Sequence, residues 1–278
     1  MMKKNVDSMT KMILLAALAV ALCFGPSCGK APEEESPEPA PTSPPEASQP
    51  EVTTAEPAPT PEPKEEPPEA AAPAGDQKLV EIDLVLPNPM FVGTPQDLSV
   101  PNLEKPLGKP RPPFLAPEGT TNLALGKAIS GSDEEPIIGD LEMITDDDKE
   151  AADGSYVELG PFVHHVQVDL EQTAEIYAIV VWHYHKQPRV YYDVVVQISD
   201  DPDFISGVTT VFNNDHDNSA GLGIGKDMHY VETSEGKLID CLSQGSPKGR
   251  YVRLYSNGNT GNDLNHYIEV AVYGKPVE

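Results

Sequence analysis

The sequence predicts an all-β protein, an antiparallel β-sandwich over residues 120–278. Three observations carry this. Short runs at 165–170, 175–185, 191–198, 208–212, 250–256 and 267–273 alternate apolar and polar residues with the period of a strand. Clusters of Gly, Asp, Asn and Pro separate them, as turns require. No convincing amphipathic helix interrupts the series, so the strands have only each other to pack on. About 155 residues are enough for one hydrophobic core.

The chain of 278 residues carries a formal net charge of −26 and 30 prolines. That charge excludes a nucleic-acid partner, whose phosphates it would repel, and docking on anionic lipid through a basic patch. The membrane is reached only through an N-terminal anchor. Residues 1–27 read as an export signal. Lys3, Lys4 and Lys11 precede an apolar run at 12–24 that is short for a membrane span. Gly25-Pro26-Ser27-Cys28 resembles a bacterial lipoprotein signal, which would make Cys28 the lipidated first residue. Ordinary cleavage after Ser27 is the competing reading. Gly29 fits sorting to the outer membrane or cell surface by the same resemblance; without the anchor, the product is periplasmic or secreted. Of three cysteines, Cys23 leaves with the signal, and Cys28 and Cys241 show no pairing signature, so no structural disulfide is expected.

Residues 28–75 are rich in Pro, Glu, Ala, Ser and Thr and too poor in apolar side chains to offset chain entropy. They predict a disordered acidic tether, extended to on the order of 100 Å by proline and like charge. Residues 76–119 predict an extended strap that packs on the domain. One alternating strand at 78–86 opens it, and Met90, Phe91, Leu98, Val100, Leu103 and Phe114 recur among its prolines.

The last two strand runs read as a strand pair, Gly249 to Gly274, and hold the densest polar loop. Val252 and Leu254 share one face of the first; Ile268, Val270 and Val272 share a face of the second, with Glu269 opposite. Between them lie Asn257, Asn259, Asn262, Asp263, Asn265 and His266, a binding-site layout or a set of turn residues. A second constellation is Trp182-His183-Tyr184-His185, followed by Arg189 and Tyr191. On a strand His183 and His185 share a face. Histidine, arginine and an aromatic ring at a loop mouth supply the donors, acceptors and apolar surface a sugar needs. The alternative keeps Trp182 in the core and the histidines as surface strand residues. A metal held by this His pair lacks the nearby glutamate it would want. In the loop 213–225, Asp215, Asp217 and Ser219 alternate like part of a calcium loop, but Lys226 stands where a bidentate Glu belongs. That loop is either a polar turn capped by glycines, a cation site, or a wall of a ligand pocket.

Six motifs in order complete the pattern: Asn122-Leu-Ala-Leu-Gly-Lys127, Ile144-Thr-Asp-Asp-Asp148, Val166-Gln-Val-Asp-Leu170, Tyr192-Asp-Val-Val-Val-Gln-Ile-Ser-Asp200, Arg250-Tyr-Val-Arg-Leu254 and Glu269-Val-Ala-Val-Tyr-Gly274. Over about residues 120–275 the chain resembles the discoidin family, also called coagulation-factor-type C domains. Family 32 carbohydrate-binding modules and fucose-binding lectins share its galactose-binding-like superfamily. The resemblance implies a jelly-roll sandwich with ligand-binding loops at one end, in a family whose members bind sugars, lipids or proteins. It implies a structural Ca2+ held by Asp146, Asp148 and Glu269, with Asp147 in the place of a glycine and Ala151 where a hydroxyl stands. It further implies that His183 or His185 works with Arg189 on a sugar. With the polar loop as a second wall, the expected ligand-binding set is His183, His185, Arg189, Tyr191, Asn257, Asn259, Asn262 and His266.

No nucleophile elbow or phosphate-cradling glycine loop is present, and no two carboxylates are singled out by spacing. The expected function is a non-catalytic envelope module that binds carbohydrate or glycan from a lipid anchor. A structural or protein-interaction module of the envelope, partnered by another envelope protein, is the alternative, and a secreted hydrolase is third.

Overall fold

The structure is a computed structural model that describes residues 77–91 and 98–277. The export signal, Cys28 and the whole tether lie outside the described residues. Among the described residues twelve strands are formed: β1 Leu79–Glu81, β2 Leu115–Pro117, β3 Thr121–Asn122, β4 Ile129–Gly131, β5 Val157–Pro161, β6 His164–Trp182, β7 Val195–Ser199, β8 Thr209–Asn213, β9 Lys237–Asp240, β10 Lys248–Ser256, β11 Leu264–Tyr267 and β12 Glu269–Pro276. A short 3₁₀ turn covers Leu141–Thr145. All strand pairings between these elements are antiparallel.

β6 organises the fold. Its 19 residues are several times the length of an ordinary strand, and it serves two sheets in turn. Its first half lies between β4 (Ile129 opposite Val168) and β10 (Val252 opposite Val168). Its second half lies between β9 (Ile239 opposite Ile179) and β12 (Val272 opposite Ile179). One layer therefore runs β4-β6-β10-β7-β8, and the other β3-β12-β6-β9. The transition is a bulge. Opposite β10, pairing jumps from Ala174 to Asp169, and Glu171 takes a left-handed φ of 68°. Arg250 closes it with two bonds to Asp169, at 2.7 and 2.8 Å. Gly249 lets the strands meet there, since a Cβ would lie 2.6 Å from the Ile198 side chain.

Alternation sends Val166, Val168, Val252, Leu254, Val196 and Ile198 inward from one layer. Ile179, Val181, Val270, Val272 and Ile239 meet them from the other. This is the jelly-roll β-sandwich that the sequence implied. The second layer also buries its outer face: Tyr177, Val180, Trp182, Ala271 and Tyr273 pack under Ile82 and Ala116, flanked by Leu84 and Phe114. A strand covered on both sides reads as a near-continuous apolar run, as Ala178-Ile179-Val180-Val181-Trp182 does. The segment holding Ile82 is tied down by the β1–β2 pairing, by Ile82 N donating to Phe114 O (3.1 Å), and by the Tyr273 hydroxyl donating to Asp83 O (3.2 Å).

Four expectations change. The strand read at 78–86 is only β1, three residues long, because prolines and the approach to the domain end its pairing. The run 175–185 ends as a strand at Trp182. The two strands flanking the polar loop are not partners: β10 pairs β6 and β7, whereas β12 pairs β3 and β6. Ile268 also leaves the face of Val270 and Val272 and joins the outer cluster, because the chain breaks step between β11 and β12.

Candidate functional site

His183 and His185 do not offer their rings at an open mouth. Both are fully buried, because they continue inward past the end of β6. This corrects the expectation of a surface pair. His183 stacks on Tyr191 with centroids 4.3 Å apart, and its Nδ1 lies 3.1 Å from Glu232 Oε2, itself buried. His185 turns elsewhere and donates Nε2–H to the Lys149 carbonyl at 2.9 Å. Arg189 lays its guanidinium over Tyr184, 4.8 Å from the ring centroid. His266 packs against Tyr184 and Tyr191 and bonds Glu158 through Nε2 at 2.9 Å. Burial, with Arg189 and His183 nearby, pushes the His266 pKa down to about 3. The imidazole is therefore neutral and donates to the carboxylate. Burial also raises the Glu158 pKa, opposed by Arg189.

His183, Arg189, Tyr191 and His266 thus form one interior aromatic and charged network. Several of its polar atoms, including His183 Nε2, Arg189 Nη1 and Tyr191 Oη, make no hydrogen bond among the described residues. Asn259 and Asn262 are spent on their own loop: Asn259 Nδ2 donates to Asn262 Oδ1 (2.8 Å) and Leu264 O (2.9 Å). Of the expected ligand-binding residues, only Asn257 lines a described cavity, donating Nδ2–H to Asp193 at 2.8 Å. The single mouth expected from the sequence is in fact two places.

The implied calcium set does not fit. Asp146 and Asp148 accept backbone N–H groups two residues on, from Asp148 (2.8 Å) and Glu150 (3.0 Å). Asp147 takes φ 74°, the left-handed conformation for which glycine is the usual residue, and its N–H donates to Glu269 Oε2 at 3.2 Å. The Lys149 ammonium bonds the Asp147 carbonyl and carboxylate; burial pushes the Glu269 pKa up to about 9, opposed chiefly by Lys149. Lys149 is buried and also lies 5.7 Å from the Trp182 ring centroid. A lysine ammonium thus already supplies positive charge to this acidic loop. Among the described residues, the carboxylates close enough to share an ion are Asp193, Asp215 and Asp217 instead.

Asp193 and Asp217 line a cleft of about 430 Å³ between the loop 213–229, the segment 192–193, Asn257 and residues 99–102. Each wall has a local cause. Tyr192 N–H donates to Gly258 O (3.1 Å) and Asn257 N–H to Tyr192 O (2.9 Å), which brings Asn257 beside Asp193. Asp215 accepts Ser219 N–H (3.0 Å) and Ala220 N–H (2.9 Å), folding the loop on itself. The backbone of His229 bonds Asn102 (3.0 Å) and Glu104 (2.8 Å), which closes the remaining side. The His229 ring meets His216 edge-on at 5.0 Å and Tyr192 at 5.8 Å. Burial and the neighbouring His216 lower the His229 pKa.

Two residues of this lining hold buried polar atoms without partners among the described residues: Asn214 Nδ2 and His229 Nδ1. Asn214 cannot turn its amide over cheaply, since its Oδ1 accepts Val194 N–H at 2.7 Å. Sequence reasoning reached Asp215, Asp217 and Asn257, took Asn214 and His216 only as part of the loop 213–225, and missed Tyr192, Asp193 and His229. A Tyr-Asp pair just before a strand was the one local signal for the first two.

No protein-family model matches the chain, and no curated protein does. The chain is similar to several solved structures. A fucose-binding module from Streptococcus pneumoniae shares 18% identity at a TM-score of 0.38, covering 55% of this chain and 97% of that one. The CBM32 of AlyQ in complex with 4,5-unsaturated mannuronic acid shares 17% at 0.36, covering 52% and 92%. A family 89 glycoside hydrolase from Clostridium perfringens shares 18% at 0.39; the match covers 56% of this chain and only 15% of the hydrolase.

Proposed function

We propose that the chain is a non-catalytic carbohydrate-binding module that takes a neutral sugar or glycan in the cleft beside Tyr192. The observation that carries this is a pair of lining residues, Asn214 and His229, each with a polar atom (Nδ2 and Nδ1) left unpaired among the described residues, in a cavity with aromatic walls. A sugar hydroxyl is donor and acceptor at once, and its ring C–H groups pack on aromatic faces. The cleft volume falls within the range of about 300–1,000 Å³ usual for small-ligand sites. With no cation bound, Asp193 and Asp217 make the walls anionic, which disfavours uronates and other acidic sugars.

Lipidation at Cys28 and display on the 28–75 tether complete the proposal, with the envelope as its setting. Palmitate labelling that survives Cys28→Ser would remove the anchor from it. Binding is tested by affinity electrophoresis of the purified chain in gels holding neutral polysaccharides or a polyuronate. The sugars named for the similar modules, fucose and 4,5-unsaturated mannuronic acid, serve as competitors. Retention by a neutral glycan is expected, weakened about tenfold in Tyr192→Ala by loss of one packing wall. A folded chain retained by no neutral glycan would overturn the reading, and a protein ligand of the envelope would then take its place.

A further inference from the structure

We propose that Asp193, Asp215 and Asp217 form a calcium site opening onto the cleft. One carboxylate oxygen from each lies within 4.8 Å of the others. Asp215 is fully buried and Asp193 nearly so. None of the three forms an ion pair among the described residues. The hydrogen bonds they accept come from neutral groups: Asp193 from Ser219 Oγ (2.6 Å) and Asn257 Nδ2 (2.8 Å), Asp215 from the Ser219 and Ala220 N–H groups, Asp217 from the Ser219 N–H (3.1 Å). Neutral donors orient carboxylates but leave their mutual repulsion in place, and burial strengthens it. A divalent cation removes it.

A second observation points to a ligand in the same space. His229 is 8% exposed and Asn214 is 0% exposed; both residues line the cleft, and each holds a buried polar atom that has no partner among the described residues. A neutral imidazole keeps a free lone pair on one ring nitrogen. His229 Nδ1 accepts from a water or hydroxyl on the cation, and Asn214 Nδ2 donates to one.

The donor set selects the ion. Three carboxylates without a thiolate favour a hard cation. Calcium takes six to eight oxygens in an adaptable geometry, whereas magnesium demands a strict octahedron. Three aspartates leave calcium with open positions for water or for hydroxyls of a molecule in the cleft. The site stands apart from the Asp146 loop, where Lys149 already provides a cation, and it holds whether or not the cleft takes a sugar.

The test uses the full chain, stripped with chelator. Melting is followed with added Ca2+ or Mg2+, and Ca2+ binding by calorimetric titration. With Ca2+ at about 10 mM, and an affinity typical of extracellular sites, the midpoint should rise by about 5 °C. A single saturable heat per chain should accompany it, and Mg2+ should do less. Asp217→Asn should abolish both responses while still folding in chelator, since the side chain is exposed. Asp193→Asn provides a second variant if the first fails to fold. Asp146→Asn should leave the response intact. An unmoved midpoint with no heat would overturn the proposal, and so would a response lost in Asp146→Asn but kept in Asp217→Asn.

Discussion

Glu269→Gln tests whether burial or Lys149 decides the charge at the start of β12. Glu269 is fully buried; one oxygen accepts the Asp147 N–H at 3.2 Å, and the other has no partner among the described residues. Burial pushes its pKa from 4.5 up to about 9, with Lys149 the main opposing influence. Between those values the folded chain holds a proton that the unfolded chain releases. The stability this contributes is complete below the unfolded pKa and is lost as pH rises toward the folded one. The slope is at most ~1.4 kcal/mol per pH unit, so from about pH 5.5 to about pH 8.5 the loss has a ceiling of ~4 kcal/mol. Relaxation around Lys149 brings the expected value to about 2–4 kcal/mol. Glutamine keeps the shape and the bond to Asp147 but does not titrate. Urea unfolding of both chains across this range should therefore show wild type losing that much relative to the variant. Parallel stability profiles would refute the reasoning and mean that Lys149 already holds Glu269 ionised.

Two further predictions address packing. Gly236 has φ 62°, and a Cβ there would lie 2.7 Å from the Trp182 ring. Gly236→Ala should cost about 2–4 kcal/mol in denaturant melts, since both the backbone and the indole resist it; a loss under about 0.5 kcal/mol, the range of ordinary surface substitutions, contradicts the tight contact. Trp182 is the sole tryptophan and shares the outer cluster with Ile82. Ile82→Asp buries an unpaired charge there, so its fluorescence should shift to the red while the sandwich stays folded; an unchanged spectrum would mean that Ile82 does not cover that face.

The layers were legible because local alternation decides them: Val166 and Val168, or Val252 and Leu254, can face inward only together. The bulge at Glu171 was not, because it depends on Arg250 reaching Asp169 from 81 residues away. The same distance effect misplaced the site. His183 reads as an exposed polar residue until Glu232, 49 residues on, is brought against it. The cleft draws its walls from residues 99–102, 192–193, 214–229 and 257, four stretches with no shared pattern. The polar loop 257–265 looked like a ligand surface because turn-forming and sugar-binding residues are the same short amides. Asn259 and Asn262 are the former.

The long strand β6 has a consequence for how the molecule comes apart. Because one continuous strand supplies hydrogen bonds to both layers, neither layer can open without breaking the ladder of the other. The amides of Val168 and Ile179 should therefore exchange with solvent at the same slow rate, through global unfolding alone. The β1–β2 pair, outside that ladder, should exchange far sooner. The sandwich should then open as one cooperative unit, with the segment laid across it opening first.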